Sequence, residues 1–203
     1  MRGSHRPRVQ QERRPLGHVA GIARQVPAID ELAQLDPTGK EQLRVSRLAD
    51  KGEYSDYSHD PKFTEAVAKK VYYGPVYFFR QSPHMTLSVA GTRRDAGVSV
   101  AMVSLKLLWD VVSQIKVGER GQAYVIDAGG RVIAHPDISL VLGNTDMTKL
   151  AQVQAARTGG AEPVQEGQDI HGHKVLSAFA PVSPLGWLVF VELPVEEADA
   201  LAQ

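Results

Sequence analysis

The stretch 118-GERGQAYVIDAGGRVIAHPD-137 decides how this chain is read. Gln122 to Asp127 is apolar and β-prone, with Tyr124, Val125 and Ile126 at its centre. Ala128-Gly129-Gly130 supplies a turn, because glycine accepts the positive φ that hairpin turns need. Arg131 to His135 reads as the return strand. Pro136 has no N–H to give to a ladder and stops it.

The same pattern appears once upstream. Ile29 to Leu35 reads as a strand. Asp36-Pro37-Thr38-Gly39 has the residue preferences of a type I turn, and Glu41 to Leu48 returns. After a polar stretch, Asp60-Pro61-Lys62-Phe63 opens a helix with Asp as N-cap and Pro at its first position. Strands are expected at Val71–Phe79, His84–Gly91 and Val98–Val103. Downstream of the central hairpin, Asp146 is read as the cap of a helix from Met147 to Arg157, ended by Gly159-Gly160. Strands follow at Gly167–Ile170, Lys174–Pro181 and Gly186–Glu192, and Pro194 opens a helix over Val195–Leu201. Leu105, Leu108, Val112 and Ile115 recur at helical spacing and place a helix between the halves. Leu16, Val19, Ala20 and Ala23 do the same for a short N-terminal helix that Pro27 ends.

Each half thus reads strand, strand, helix, strand, strand, strand. Alternation of apolar and polar residues fits antiparallel sheets with one buried face. The predicted fold class is α+β: two modules, each an antiparallel sheet of about five strands with flanking helices, joined by a helix.

GQAYVIDAGGRVIAHPD, together with VYYGPVYFFRQSPHMTLSVAGTRRDAGVSV upstream and PLGWLVFVELP downstream, resembles the double-Cache domains. These are PAS-like extracytoplasmic sensor regions of bacterial transmembrane receptors. The resemblance spans about Val26 to Pro194. The opening Met1-Arg2-Gly3-Ser4-His5 reads as an expression-tag remnant, placed at 1–6, and the resemblance makes 7–25 an N-terminal helix remnant. A membrane-distal module would follow at 26–105, a connecting helix at 106–116, a membrane-proximal module at 117–194, and a helix start towards the membrane at 195–203. It also implies a periplasmic location, with contact to the membrane only through missing flanking helices.

Composition narrows the function classes. Basic and acidic residues balance at 23 each, so a general nucleic-acid binder, whose affinity rests on basic excess, is not expected. There is no cysteine, hence no disulfide or thiolate chemistry. No run approaches the roughly 20 apolar residues of a membrane span. No G-x-S-x-G, P-loop, H-E-x-x-H or G-x-G-x-x-G is found, so no catalytic residue and no cofactor are expected. His171-Gly172-His173 has a spacing compatible with metal, but it reads better as a turn centred on Gly172, and no metal is expected. Asp56, His59 and Asp60 read as a solvated loop and a helix cap.

The remaining signal is aromatic. Tyr72, Tyr73, Tyr77, Phe78 and Phe79 crowd the first module, and tyrosine suits an amphipathic ligand pocket. The resemblance implies binding in that module, which makes Tyr73 and Tyr77 candidates, with Lys62, Phe63, His84 and Thr86 beside them. The second module's strands carry Tyr124, Phe179, Trp187 and Phe190, but few polar groups to orient a ligand. Amino-acid-binding relatives resemble one another at an Arg-Pro-Trp-Tyr run and an Asp in the last strand. Here Asp60-Pro61-Lys62-Phe63 and Met102 stand at those places. Free α-amino acids are therefore not expected, and Lys62 points to an organic acid, with a neutral aromatic as the other choice. The reading is the sensor of a two-component histidine kinase. The alternatives are a cyclase or chemoreceptor sensor, or a ligand-free structural module in which helices form a homodimer.

Overall fold

The computed structural model describes residues 21–48, 52–160 and 162–203. The first hairpin is β1 (Ile29–Leu35) and β2 (Glu41–Ser46), followed by helix α1 (Pro61–Lys69). Then come β3 (Val71–Tyr73), β4 (Tyr77–Phe79), β5 (Ser82–Ala90) and β6 (Val98–Ser104). Helix α2 (Lys106–Gln114) precedes the second hairpin, β7 (Gln122–Ile126) and β8 (Val132–Ala134). Two helices, α3 (Ile138–Leu142) and α4 (Ala151–Thr158), lead to β9 (Gln165–Gln168), β10 (Lys174–Val182), β11 (Trp187–Pro194) and α5 (Val195–Leu201).

The fold is α+β with two antiparallel sheets. The first runs β2-β1-β6-β5-β3, with β4 beside β5, and the second runs β8-β7-β11-β10-β9. Numbered within each module, both place the last strand beside the first. Two compact units result. One takes the described residues up to Tyr77 and His84–Ser104; the other takes Phe78–Pro83 and the residues from Leu105 onward.

Three turns share one wiring. In 36-DPTG-39, 127-DAGG-130 and 169-DIHG-172 the glycine N–H donates to the aspartate carbonyl. The aspartate Oδ1 accepts from the backbone N–H two and four residues on, at 2.8–3.0 Å. The carboxylate satisfies donors that no ladder would use. His171 and His173 therefore belong to a turn, as expected.

In the first unit α1 covers one sheet face. Asp60 caps it, its Oδ1 accepting from Lys62 N at 3.0 Å. Phe63 and Ala66 pack on Leu35 and Val98, with Tyr57, Tyr72, Ala90 and Val100 at the margin. In the second unit Tyr124, Ile126, Ile133, Val141, Val153 and Phe190 are fully buried. Helix α2, expected as a connector, packs here. Trp109 is buried, and its indole N–H donates to the Ile133 carbonyl at 2.7 Å.

Three expectations are corrected. Val71–Phe79 is not one strand, because Gly74-Pro75 interrupts it and separates β3 from β4. Asp146 does not cap the long helix. Its carboxylate accepts from Thr148 N at 2.8 Å, and α4 starts only at Ala151. Helix α3 was not foreseen; Asp137 caps it by accepting from Ser139 N at 3.0 Å. Of the short N-terminal helix, residues 21–25 are described and are helical; residues 16–20 lie outside the described residues. Among the described residues no helix is long and apolar enough to cross a membrane.

Candidate functional site

The site is best built from register. Down the centre of the first sheet, β6 pairs with β1 on one side and β5 on the other. Leu35, Val98 and Ala90 form one row of directly opposed residues. Ala33, Val100, Ser88 and Tyr72 form the next on the same face, and Glu31, Met102 and Thr86 the one after. Helix α1 covers the first of these rows through Phe63. Beyond the third row the face turns polar. A register shift between Ile29 and Glu31 makes Asp30 a bulge residue, and a bulge re-aims a side chain.

Asp30 uses that freedom to reach His84, whose Nε2 lies 2.8 Å from Asp30 Oδ2. His84 is only 2% exposed. The Tyr77 ring stacks on it, with centroids 6.0 Å apart and planes 28° from parallel. Burial raises the Tyr77 phenol above its ordinary pKa. A hydrogen bond with the Thr86 side chain opposes that rise, and the carboxylates of Glu31 and Asp30 reinforce it. Tyr77, His84 and Thr86 are thus brought together, with two acids around them.

One row closer to α1, Ser88 is fully buried and its hydroxyl has no hydrogen-bond partner among the described residues. A buried polar atom left unpaired costs about 1–3 kcal/mol.

The profile of the Cache domain matches residues 8–202. The chain belongs to the Cache domain family. As a Cache domain it is a sensor domain of signalling receptors, placed outside the cytoplasm. Solved structures agree in fold. The extracellular domain of the histidine kinase mmHK1S-Z2 superposes with a TM-score of 0.72 at 16% identity, over 90% of this chain and 81% of that one. The ligand-binding domain of the Campylobacter jejuni chemoreceptor Tlp3, in complex with L-valine, gives 0.67 at 13% identity, over 92% and 74%. The chain is also similar to the methyl-accepting chemotaxis protein PctB of Pseudomonas aeruginosa, 23% identical over 124 residues. That match takes in 58% of this chain and only 19% of the chemoreceptor.

The other residues singled out in this Cache domain from its sequence lie away from the cluster. Phe63 belongs to the apolar packing under α1. Lys62 has its ammonium 3.6 Å from the Tyr57 ring centroid, a cation–π contact. Tyr73 pairs with Leu87 and so shares the sheet face opposite to Thr86; it is exposed. Sequence reasoning missed Asp30, Glu31 and Ser88. Glu31 was legible only as one polar position of a strand, and the bulge that turns Asp30 inward left no mark in the sequence.

One statement about the second module is overturned. Its core is not poor in orienting polar groups. Glu192, 2% exposed, accepts at Oε1 from the Tyr124 hydroxyl at 2.7 Å and the Gln152 amide at 3.1 Å, with the Ser177 hydroxyl at 3.4 Å. These groups come from four separate elements, so no short motif announces them. Among the described residues no group of three or more His, Cys, Asp or Glu is placed to hold a metal ion.

Proposed function

We propose that this Cache domain is the ligand-sensing part of a transmembrane histidine kinase, with its ligand seated in the first module against Tyr77, His84 and Thr86. The observation that carries this reading is the Asp30–His84 pair with Tyr77 laid over it, at 2.8 Å and 6.0 Å, at the polar end of the sheet face whose other end α1 covers. A fold needs no such pair there, since hydrophobic residues of similar volume pack as well or better. The ligand's differential affinity for two arrangements of the domain would set the signal, because a ligand shifts only the equilibrium it binds unequally. Helix α5 is the element through which the output would leave. The two modules, bounded at 26–105 and 117–194, would then divide the work of binding and transmission.

The ligand we favour is a small amine. An organic acid was expected because Lys62 could hold a carboxylate. Lys62 lies on Tyr57, and Asp60 at the helix start would repel an anion. An amine was discounted because Met102 offers no counter-charge. Glu31, directly across from Met102, supplies it, and Asp30 adds a second carboxylate nearby. An α-amino acid would still bring a carboxylate with no free partner. Tlp3 takes L-valine, which makes amino acids the comparison to run first. Calorimetry on the whole chain against amines, amino acids and carboxylic acids tests this. Tyr77→Ala is expected to weaken an amine by about 1–3 kcal/mol, the scale of a lost buried aromatic contact. Unchanged binding in that variant places the site elsewhere, and binding of the free amino acids alone removes the amine.

A chemoreceptor output is the second reading, favoured by the similarity to PctB. The chain segment that follows the membrane-side helix in the full receptor decides between them.

A further inference from the structure

The second module contains a small polar cavity of about 170 Å³ that the reading above does not use. Arg120, Gln122, His135, Asp169, Glu192 and Pro194 are among the residues that line it. Two of these are nearly sealed from solvent. Glu192 is 2% exposed and His135 is 4% exposed.

Both are half satisfied. Among the described residues the donors to Glu192, from Tyr124, Gln152 and Ser177, all go to Oε1. Oε2 has no hydrogen bond among the described residues. At His135, Nδ1 accepts from the Asp137 backbone N–H at 2.8 Å. That bond fixes the neutral tautomer, so the proton sits on Nε2. Nε2–H likewise has no partner among the described residues. The ring is held in place by stacking on Tyr124, with centroids 5.6 Å apart. One cavity therefore gathers a carboxylate oxygen that lacks a donor and an imidazole N–H that lacks an acceptor. Both residues line the cavity, where a ligand can supply the missing partners.

Charge tells what would satisfy them. Three carboxylates, Asp137, Asp169 and Glu192, line the cavity with one arginine. Asp137 is taken up by Ser139, and Asp169 by the backbone of its own turn and by His173. Arg120 is drawn to Glu196 and Glu197, at 3.6 and 3.8 Å. Glu192 alone is left to seek a cation. Burial pushes its carboxyl up from the ordinary glutamate range, as it does for a buried acid without a counter-charge.

We propose that the second module carries a ligand site of its own, for a small amino alcohol whose ammonium donates to Glu192 and whose hydroxyl oxygen accepts from His135. The site is joined to a larger hollow of about 470 Å³ that shares Arg120, Asp169 and Pro194 with it, so a substituent on the amine has room. Pro194 ends β11 and directly precedes α5. An occupant would therefore touch the root of the helix that leaves the domain.

The test titrates ethanolamine into the whole chain by calorimetry. Ethylamine, which lacks the hydroxyl, and ethylene glycol, which lacks the ammonium, are the controls. Ethanolamine is expected to bind, ethylamine more weakly and ethylene glycol not at all. Glu192→Gln should weaken ethanolamine by about tenfold or more, the scale of a lost charge-assisted hydrogen bond. In the Tyr77→Ala chain, whose first-module amine site is weakened, ethanolamine should still move the amide signals of Gln122, His135 and Glu192, which separates this site from the one in the first module. Amide chemical shifts of the unsubstituted chain give a readout that needs no variant, and they should move at Gln122, His135 and Glu192. Shifts at Gln122 and His135 that survive Glu192→Gln, shifts confined to the first module, or no binding at millimolar ethanolamine would each overturn the proposal.

Discussion

Met102 and Glu192 occupy matching places in two sheets of the same strand order. Met102 lies on β6, opposite Glu31 of the first strand and Thr86 of β5. Glu192 lies on β11, opposite Gln122 of the first strand and Ser177 of β10. The first module puts a thioether at this point and moves its charge one row outward, onto the bulge at Asp30. The second keeps the carboxylate in the middle of the sheet and surrounds it with Tyr124, Gln152 and Ser177. One backbone thus supports two solutions. A partly buried acid that still reaches solvent needs only one imidazole, whereas a sealed acid needs a shell of donors, because the desolvation of its charge must be offset by hydrogen bonds.

Exchanging the two residues tests whether the places are equivalent. Glu192→Met should be the more damaging, because it leaves the Tyr124 hydroxyl, the Gln152 amide and the Ser177 hydroxyl without their acceptor. At about 1–3 kcal/mol for an orphaned buried group, less what is regained by removing a buried carboxylate, a loss of about 3 kcal/mol is expected in urea unfolding. Met102→Glu should cost less, since the new carboxylate is half-buried and is opposed chiefly by Glu31. A larger loss at Met102 than at Glu192 would show that the matching rows are not physically alike.

A smaller effect distinguishes the modules by pH. Burial raises the Glu192 carboxyl above its ordinary value near 4.5. In the pH range between the unfolded and folded values, the folded chain holds a proton that the unfolded chain has released. Stability contributed there falls as pH rises from about 4.5 and levels off above the raised value. Glu192→Gln removes this slope. The stability of the variant relative to the parent should therefore improve from pH 4 to neutral pH, as followed by thermal melts. A difference that runs the other way would mean that the donor shell outweighs burial. The smallest expected change is at the first module's surface. Lys62→Met loses the contact over Tyr57, worth about 0.5–1 kcal/mol at an exposed site, and should leave amine binding unaltered.

How far the chain could be read without coordinates follows the same division. Local chemistry was legible. Asp60-Pro61 marks the start of α1, and the two Asp-x-x-Gly turns of the hairpins predict their strands, since each device acts within five residues. Tyr77 was picked out from an aromatic cluster, His84 and Thr86 as its neighbours in the fold that the resemblance implies, and the three do come together. Asp30 was not, because a bulge is fixed by pairing with a strand some seventy residues away. Glu192 was read as a strand end. Its partners Ser177, Gln152 and Tyr124 lie 15, 40 and 68 residues away in sequence, and a buried acid cannot be told from a solvated one until those partners are placed. Asp146 misled for a related reason: a carboxylate before a threonine serves a turn as readily as a helix.

One contact at the end of the domain carries a genetic consequence. The Glu197 carboxylate of α5 accepts from the backbone N–H groups of Glu119 and Arg120. The neighbouring Gly118 has φ near 61°, and a Cβ built there would lie 2.1 Å from Glu197 Oε1. A side chain there must push the Glu197 carboxylate aside and adopt a left-handed backbone that L residues rarely take, so most missense changes at codon 118 loosen the clasp on the last helix while leaving the first module untouched. Selection for receptors that signal without a stimulus, or that no longer respond to one, should therefore return changes at this glycine.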